Sequence, residues 1–326
     1  MINLSSGSLN LPAPQKTGAF LIIYLGKLPP YFDFWARSCE PNQTHFHWFV
    51  YTDQAKRKTI FNKAVTLIPY SFENLHHDLM SKLNIRLPRQ NTWLVCDSRI
   101  LLYAIRKNEE PLDHYDFIGY SDLDVVYGKI KAFLPEHPLE YAMISAENER
   151  PCGPFTLFNR HYLLRILAHD RIKTFFEAEY QDQLNENLNS VKLISRFDPI
   201  SGNTAKDNIS SKLNFSHLDE SRDIVRIAEK NAPVFCQADP LQPTRTRWFN
   251  HRKAIAFWED GKLLVMDNRG HLKEGAFFHF SRLKNNNRFC KYPDIPKSDN
   301  WGIYKYGFIN LNSRFARIKM MLTLFY

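Results

Sequence analysis

Neither a disulfide framework nor a zinc ribbon can be read from this sequence. Its five cysteines (Cys39, Cys96, Cys152, Cys236 and Cys290) are odd in number and widely spaced, and none forms a C-x-x-C pair. Such a set suits a reducing cytoplasm better than an oxidising compartment. No apolar run approaches the ~20 residues that a membrane-spanning helix needs. Ser5–Asn10 is polar and lacks the charged and apolar regions of a signal peptide. The expected location is the cytoplasm, with the inner face of the membrane as a peripheral surface. No recognised nucleic-acid motif accompanies the basic residues, so no specific nucleic-acid partner is expected.

What the sequence does have is size, aromatics and positive charge. At 326 residues it can bury a sizeable core, as one large α/β domain or two small ones. Hydrophobic residues at 44% and charged residues at 24% are ordinary for a globular protein, but 14% aromatics is high. These aromatics could build a heavily aromatic core or platforms that stack on sugars. The net charge of +9 favours anionic partners such as nucleotides, phospholipid headgroups or nucleic acid. Basic residues thicken late in the chain, at Arg245, Arg247, Arg252, Lys253, Arg282, Lys284, Arg288 and Lys291.

The early chain reads as alternating strands and helices. Ala19–Leu25 is a continuous apolar run, as in a strand buried on both faces. Pro29-Pro30 opens a helix through Phe34, Trp35 and Arg37, and Phe46–Tyr51 is a second strand, a spacing that fits a βαβ unit. Tyr24, Thr52 and Asp53 fall at strand ends, where such sheets bind ligands, and could border a base and ribose. Asp53 could equally cap a helix over Gln54–Phe61. Val65–Pro69 predicts a third strand, and Ser71 caps a helix running to Leu83. Trp93–Ile105 has helical spacing, Tyr141–Ser145 and Phe155–Phe158 read as strands, and Arg160–Tyr180 reads as a helix. Residues 181–214 are polar and Asn/Ser-rich, as in a surface insertion. Trp248–Phe257, Leu263–Met266 and Ala276–Phe280 are further strands.

The stretch Tyr115–Gly128 (Y-D-F-I-G-Y-S-D-L-D-V-V-Y-G) carries the only D-x-D of the chain. On a strand, residues i and i+2 share a face, so Asp122 and Asp124 would aim their carboxylates at one point and Leu123 would turn into the core. Converging carboxylates repel unless a cation sits between them, and a divalent ion meets that need. On spacing alone, a capped loop remains an equal alternative.

This stretch resembles the D-x-D segment of GT-A-type glycosyltransferases, and more closely a bacterial glycosyltransferase-like family catalogued as a domain of unknown function. The likeness recurs in order through Pro30-Tyr31-Phe32 to Ser38-Cys39, Phe49–Asp53, Cys96-Asp97, Asp116–Gly128, Gly153–Phe158 and Phe278-His279-Phe280. It implies a GT-A-like fold, a mostly parallel twisted sheet with helices on both faces. It also implies sugar transfer from a nucleotide diphosphate sugar to a glycan or lipid-linked acceptor, as in bacterial surface polysaccharide synthesis. Under it, Asp122, Asp124 and His279 hold Mn²⁺ or Mg²⁺, and Asp122 and Lys284 serve the diphosphate. An imidazole ligand suits Mn²⁺ better, since Mg²⁺ prefers oxygen. Without the resemblance, His279 reads as a core residue of an aromatic strand. Asp97 and Arg99 become donor contacts, or else a structural pair on a helix face. An inverting reaction needs a carboxylate base, for which Asp219 and Glu220 are the candidates, with Glu147 and Glu149 behind them.

The resulting domain plan is a polar segment over 1–16, a catalytic domain over 17–292 and a basic-apolar tail over 293–326. The run Phe308–Tyr326 could lie on an anionic membrane surface or pack against the domain. Two rival functions are a haloacid-dehalogenase-type phosphatase, which shares the pattern D-x-D-x-[T/V], and a non-catalytic basic binding module.

Overall fold

The computed structural model describes residues 16–55, 63–85, 99–108, 111–146, 153–168, 234–236, 255–266, 271–284, 288–290, 297–311 and 318. The first strand, β1 (Lys16–Ile23), overlaps the apolar run Ala19–Leu25 but starts and stops earlier, and both its faces are covered. Ala19 and Leu21 enter one core cluster, whereas Phe20 and Ile22 enter another. It pairs in parallel with β2 (Phe46–Thr52) on one side and with β4 (Tyr115–Ser121) on the other. The strand β3 (Val65–Pro69) extends the sheet in parallel from β2. Beyond β4 lie β7 (Phe155–Asn159), β6 (Met143–Ser145) and β8 (Val234–Cys236). The order of this seven-stranded sheet is β3-β2-β1-β4-β7-β6-β8, with antiparallel pairing only at β4–β7 and β6–β7. The protein is thus α/β with a mixed, mostly parallel main sheet.

Helices cover both faces of it. On one face lie α2 (Phe72–Leu83), α3 (Arg99–Arg106) and α4 (Arg160–Leu167), whose Leu75, Leu79, Ile100, Leu102, Leu163 and Ile166 pack against the Ala19 and Leu21 side of the sheet. Ser71 caps α2 as its sequence predicts, accepting from the Asn74 N–H, while the Asn74 side chain accepts from the Ser71 N–H. On the other face lies α1 (Phe32–Cys39), with Phe32 and Trp35 against Phe20 and Trp48.

The opposite side of α1 supports a second sheet. Phe34, and Tyr31 just before the helix, pack with Trp258, Trp301 and Ile303. These belong to a five-stranded antiparallel sheet of order β11-β10-β9-β13-β14. Its strands are β9 (Ile255–Glu259), β10 (Lys262–Met266), β11 (Leu272–Glu274), β13 (Asn300–Tyr304) and β14 (Gly307–Asn310). Here the structure departs from the expected plan. Residues assigned to the tail form β13 and β14, and β13 pairs with β9 through Trp301↔Trp258 and Ile303↔Ala256.

The D-x-D stretch sits at the end of an apolar strand, but its aspartates do not alternate along that strand. Strand β4 stops at Ser121, Asp122–Asp124 form a turn, and the chain resumes as β5 (Val125–Tyr127). That short strand pairs antiparallel with β12 (Phe277–His279) rather than continuing the main sheet. No helix among the described residues is long and apolar enough to cross a membrane.

Candidate metal and anion site

Three elements deliver the site. Strands β1, β2 and β4 are parallel, so the residues leaving their carboxyl ends share one edge of the sheet, where α/β folds bind ligands. Tyr24 follows β1, Thr52 ends β2, and Asp122 follows β4. The turn after β4 brings both aspartates together, while Leu123 is buried in the α1-side core. The carboxylates therefore converge through a turn and not through strand alternation.

The third ligand arrives by strand pairing. His279 lies opposite Val125 in the β5–β12 ladder, and the Phe280 N–H donates to the Asp124 carbonyl at 3.0 Å. Phe278 and Phe280 turn into the aromatic core of the second sheet, so alternation leaves His279 facing the aspartates. One ligand atom each from Asp122, Asp124 and His279 lies within 4.8 Å of the others. A single ion with bonds of about 2.2 Å holds its ligands at most about 4.4 Å apart. The triad thus needs only sub-ångström closing to hold a metal, and its oxygen–oxygen–nitrogen donor set suits such an ion.

Two cations complete the cluster. After His279 the chain makes a helical turn over Ser281–Lys284, and the Lys284 N–H donates to the Phe280 carbonyl. This reversal brings the Lys284 Nζ to 2.5 Å from Asp124 Oδ2, while His279 Nε2 lies 3.4 Å from Oδ1. On the other aspartate, the Arg99 guanidinium from the start of α3 donates to Asp122 Oδ1 at 3.0 Å and to the Gly153 carbonyl at 3.3 Å, and it lies over the Tyr120 ring. A Cβ at Gly153 would lie 3.3 Å from the guanidinium, so a larger residue there would press on Arg99.

These surroundings split the two carboxyls. Burial alone would raise Asp124, but hydrogen bonding and charge from His279 and Lys284 outweigh it and hold Asp124 well below its ordinary value. Burial raises Asp122, Arg99 opposes the rise, and the Asp124 charge adds to it. Burial would lower the Lys284 ammonium, yet Asp124 more than offsets that and raises it.

Several residues here carry no signal of their own in the sequence. The buried Tyr127 hydroxyl donates to Ser121 Oγ at 2.6 Å, and Ser121 donates onward to the Pro154 carbonyl. Together with Arg99, this chain fastens the D-x-D turn to the Gly153-Pro154 turn. Tyr31, in the Pro30-Tyr31-Phe32 motif, is buried near Asp124, and its phenol is raised by burial and by the Asp124 charge. Its local signal is only an aromatic beside a proline.

The remaining expected residues divide. Tyr24 lies close enough to Lys284 and Tyr31 to act electrostatically on both. Asp53 is exposed and accepts from the Gly26 N–H with both oxygens, at 3.0 and 3.1 Å, which ties the loop after β1 to the end of β2. Thr52 Oγ1 accepts from the Gln54 N–H. Asp97, Glu147, Glu149, Asp219 and Glu220 lie outside the described residues, as does most of the tail beyond Leu311.

No functionally curated protein matches this sequence. The family of unknown function DUF6625 matches residues 20–312, a span holding every site residue described above, and the chain belongs to that family.

Proposed function

We propose that this protein is a metal-dependent glycosyltransferase of GT-A type, moving a sugar from a nucleotide diphosphate sugar to a hydroxyl of a glycan or lipid-linked acceptor. The observation that carries the reading is the meeting of Asp122, Asp124 and His279 at the carboxyl edge of parallel strands, with Lys284 beside them. A bound Mn²⁺ or Mg²⁺ would supply positive charge where the leaving diphosphate gathers negative charge. Asp122 and Asp124 would hold it, and the His279 nitrogen favours Mn²⁺. Lys284 would add fixed positive charge on the same side. Tyr24 and Asp53, at the neighbouring strand ends, would border the base and ribose. Arg99 is already engaged by Asp122 and Gly153, and its part in this reading is to keep Asp122 oriented.

The test is a calorimetric titration of the full chain with UDP in the presence of Mn²⁺ or of EDTA, followed by a screen of nucleotide sugars for Mn²⁺-dependent hydrolysis. Metal-dependent nucleotide binding, with hydrolysis of one donor in the panel, is the expected result. Equal binding with and without EDTA, graded only by salt, would favour a basic binding module instead.

A further inference from the structure

We propose that metal and diphosphate bind this site as a coupled pair, because Lys284 holds Asp124 until an anion draws it away. The inference rests on the metal-site reading above and adds to it an order of events set by the chain's own charges.

Among the described residues, the carboxylates of Asp122 and Asp124 face the cations of Arg99 and Lys284, two charges of each sign. A coordinating imidazole is neutral. A divalent ion would therefore leave two positive charges in excess, in a place where Asp124 is only 6% exposed. A diphosphate esterified at both ends carries two negative charges, which matches that excess. The charge balance favours a diphosphate anion that arrives with the metal, over a neutral sugar or a bare cation.

The two cations are not equally free to respond. The Arg99 side chain is 11% exposed, lies 4.6 Å over the Tyr120 ring and donates to Gly153 as well as Asp122. Lys284 is 43% exposed at the end of a four-residue helical turn. A lysine stem with three rotatable donors can swing from a carboxylate to a phosphate oxygen, whereas a stacked guanidinium stays fixed. Lys284 is thus the movable partner. Its ammonium on Asp124 opposes a second cation there, and its transfer to the anion removes that opposition. Binding of one ligand then strengthens the other reciprocally.

Free Mn²⁺ followed by electron paramagnetic resonance gives the test, on the full chain as wild type, Lys284→Met and Lys284→Arg. Each is titrated with and without inorganic pyrophosphate, and circular dichroism establishes that the fold is kept. Lys284→Met should bind Mn²⁺ alone about tenfold more tightly than wild type and lose most of the pyrophosphate enhancement, while Lys284→Arg stays near wild type. If Lys284→Met binds Mn²⁺ no more tightly than a wild type that does bind it, the coupling is wrong and the metal site stands. Pyrophosphate and Mn²⁺ binding independently to the wild type also overturns the coupling, whatever the variants do. Absence of Mn²⁺ binding under every condition overturns both readings.

Discussion

At the scale of single residues, Asp122 and Asp124 are chemically unlike despite their spacing. Asp124 is nearly enclosed and bound by Lys284 and His279, whereas Asp122 is a third exposed and paired with Arg99. On the proposed metal site both are ligands, so Asp122→Asn and Asp124→Asn should each weaken Mn²⁺-dependent nucleotide binding by about 100-fold or more. Their circular dichroism should stay that of the wild type. Donor binding by both variants at wild-type strength would dismiss the metal site. Asp124 also makes a stability prediction. Its folded-state pKa is depressed, because His279 and Lys284 overcome the effect of burial. Its contribution is therefore whole above the ordinary aspartate value of about 3.9 and is lost as pH falls below it. Asp122 has the opposite sign, since its raised pKa makes ionisation costly as pH rises. Urea unfolding between about pH 2 and pH 6 should show a steep acid limb in the wild type and a shallower one in Asp124→Asn. An unchanged limb would mean that the ion pair with Lys284 adds nothing to folding.

At the scale of elements, the site depends on β4 being held rigidly between β1 and β7. Gly119 sits mid-strand, where an added Cβ would lie 2.0 Å from the Thr156 carbonyl oxygen and 2.9 Å from Leu157 Cδ2. The obstacle at Thr156 is backbone and cannot swing aside, so β4 and β7 would have to separate. Gly119→Ala should cost about 3 kcal/mol or more, read as a shift in the urea midpoint, and a neutral result would show that this ladder can yield. Elements of this kind were largely legible from sequence. Val65–Pro69 has its expected bounds, and Ser71 caps α2 as expected. The break at Asp122–Asp124 was not legible, because the apolar residues run on through Leu123 to Tyr127 as they would in one strand. What splits them is the pairing of Val125–Tyr127 with Phe277–His279. That contact comes from the far end of the chain, and no local pattern encodes it. The meeting of His279 with the aspartates was accordingly expected only from the family resemblance, not from the residues around it. Lys284 follows a different rule. An extended chain would have faced it away from His279, and the helical turn over Ser281–Lys284 brings it back.

At the scale of the whole molecule, α1 is wedged between two sheets, while the β5–β12 pair and the helical turn after it bring His279 and Lys284 to the edge of the first. Part of the aromatic content is spent on this junction. Tyr31 and Phe34 meet Phe280, Trp301 and Phe308, with ring centroids 4.7 to 5.8 Å apart in the pairs Phe34–Phe308, Tyr31–Phe280, Phe34–Trp301 and Tyr31–Phe308. Phe308 and Leu311 are therefore part of the fold, and Leu311 is also fixed by its N–H donating to the Asn300 carbonyl. The basic-apolar run that remains holds Arg314, Phe315, Arg317, Ile318, Lys319, Met321, Leu322 and Phe325. This division predicts different outcomes for two truncations. A chain ending at Gly307 loses the Ile303↔Phe308 and Gly302↔Ile309 pairing and should unfold at lower temperature, with loss of Mn²⁺ binding. A chain ending at Leu311 should keep its unfolding temperature and its Mn²⁺ affinity. If the run binds anionic membrane, this second chain loses three basic residues worth about 1 kcal/mol each at the surface, or roughly 100-fold in partition. Co-sedimentation with phosphatidylserine vesicles measures that partition directly. Sedimentation equal to that of the full chain would remove the membrane role from the tail, while unfolding of this second chain would make the tail a packing element.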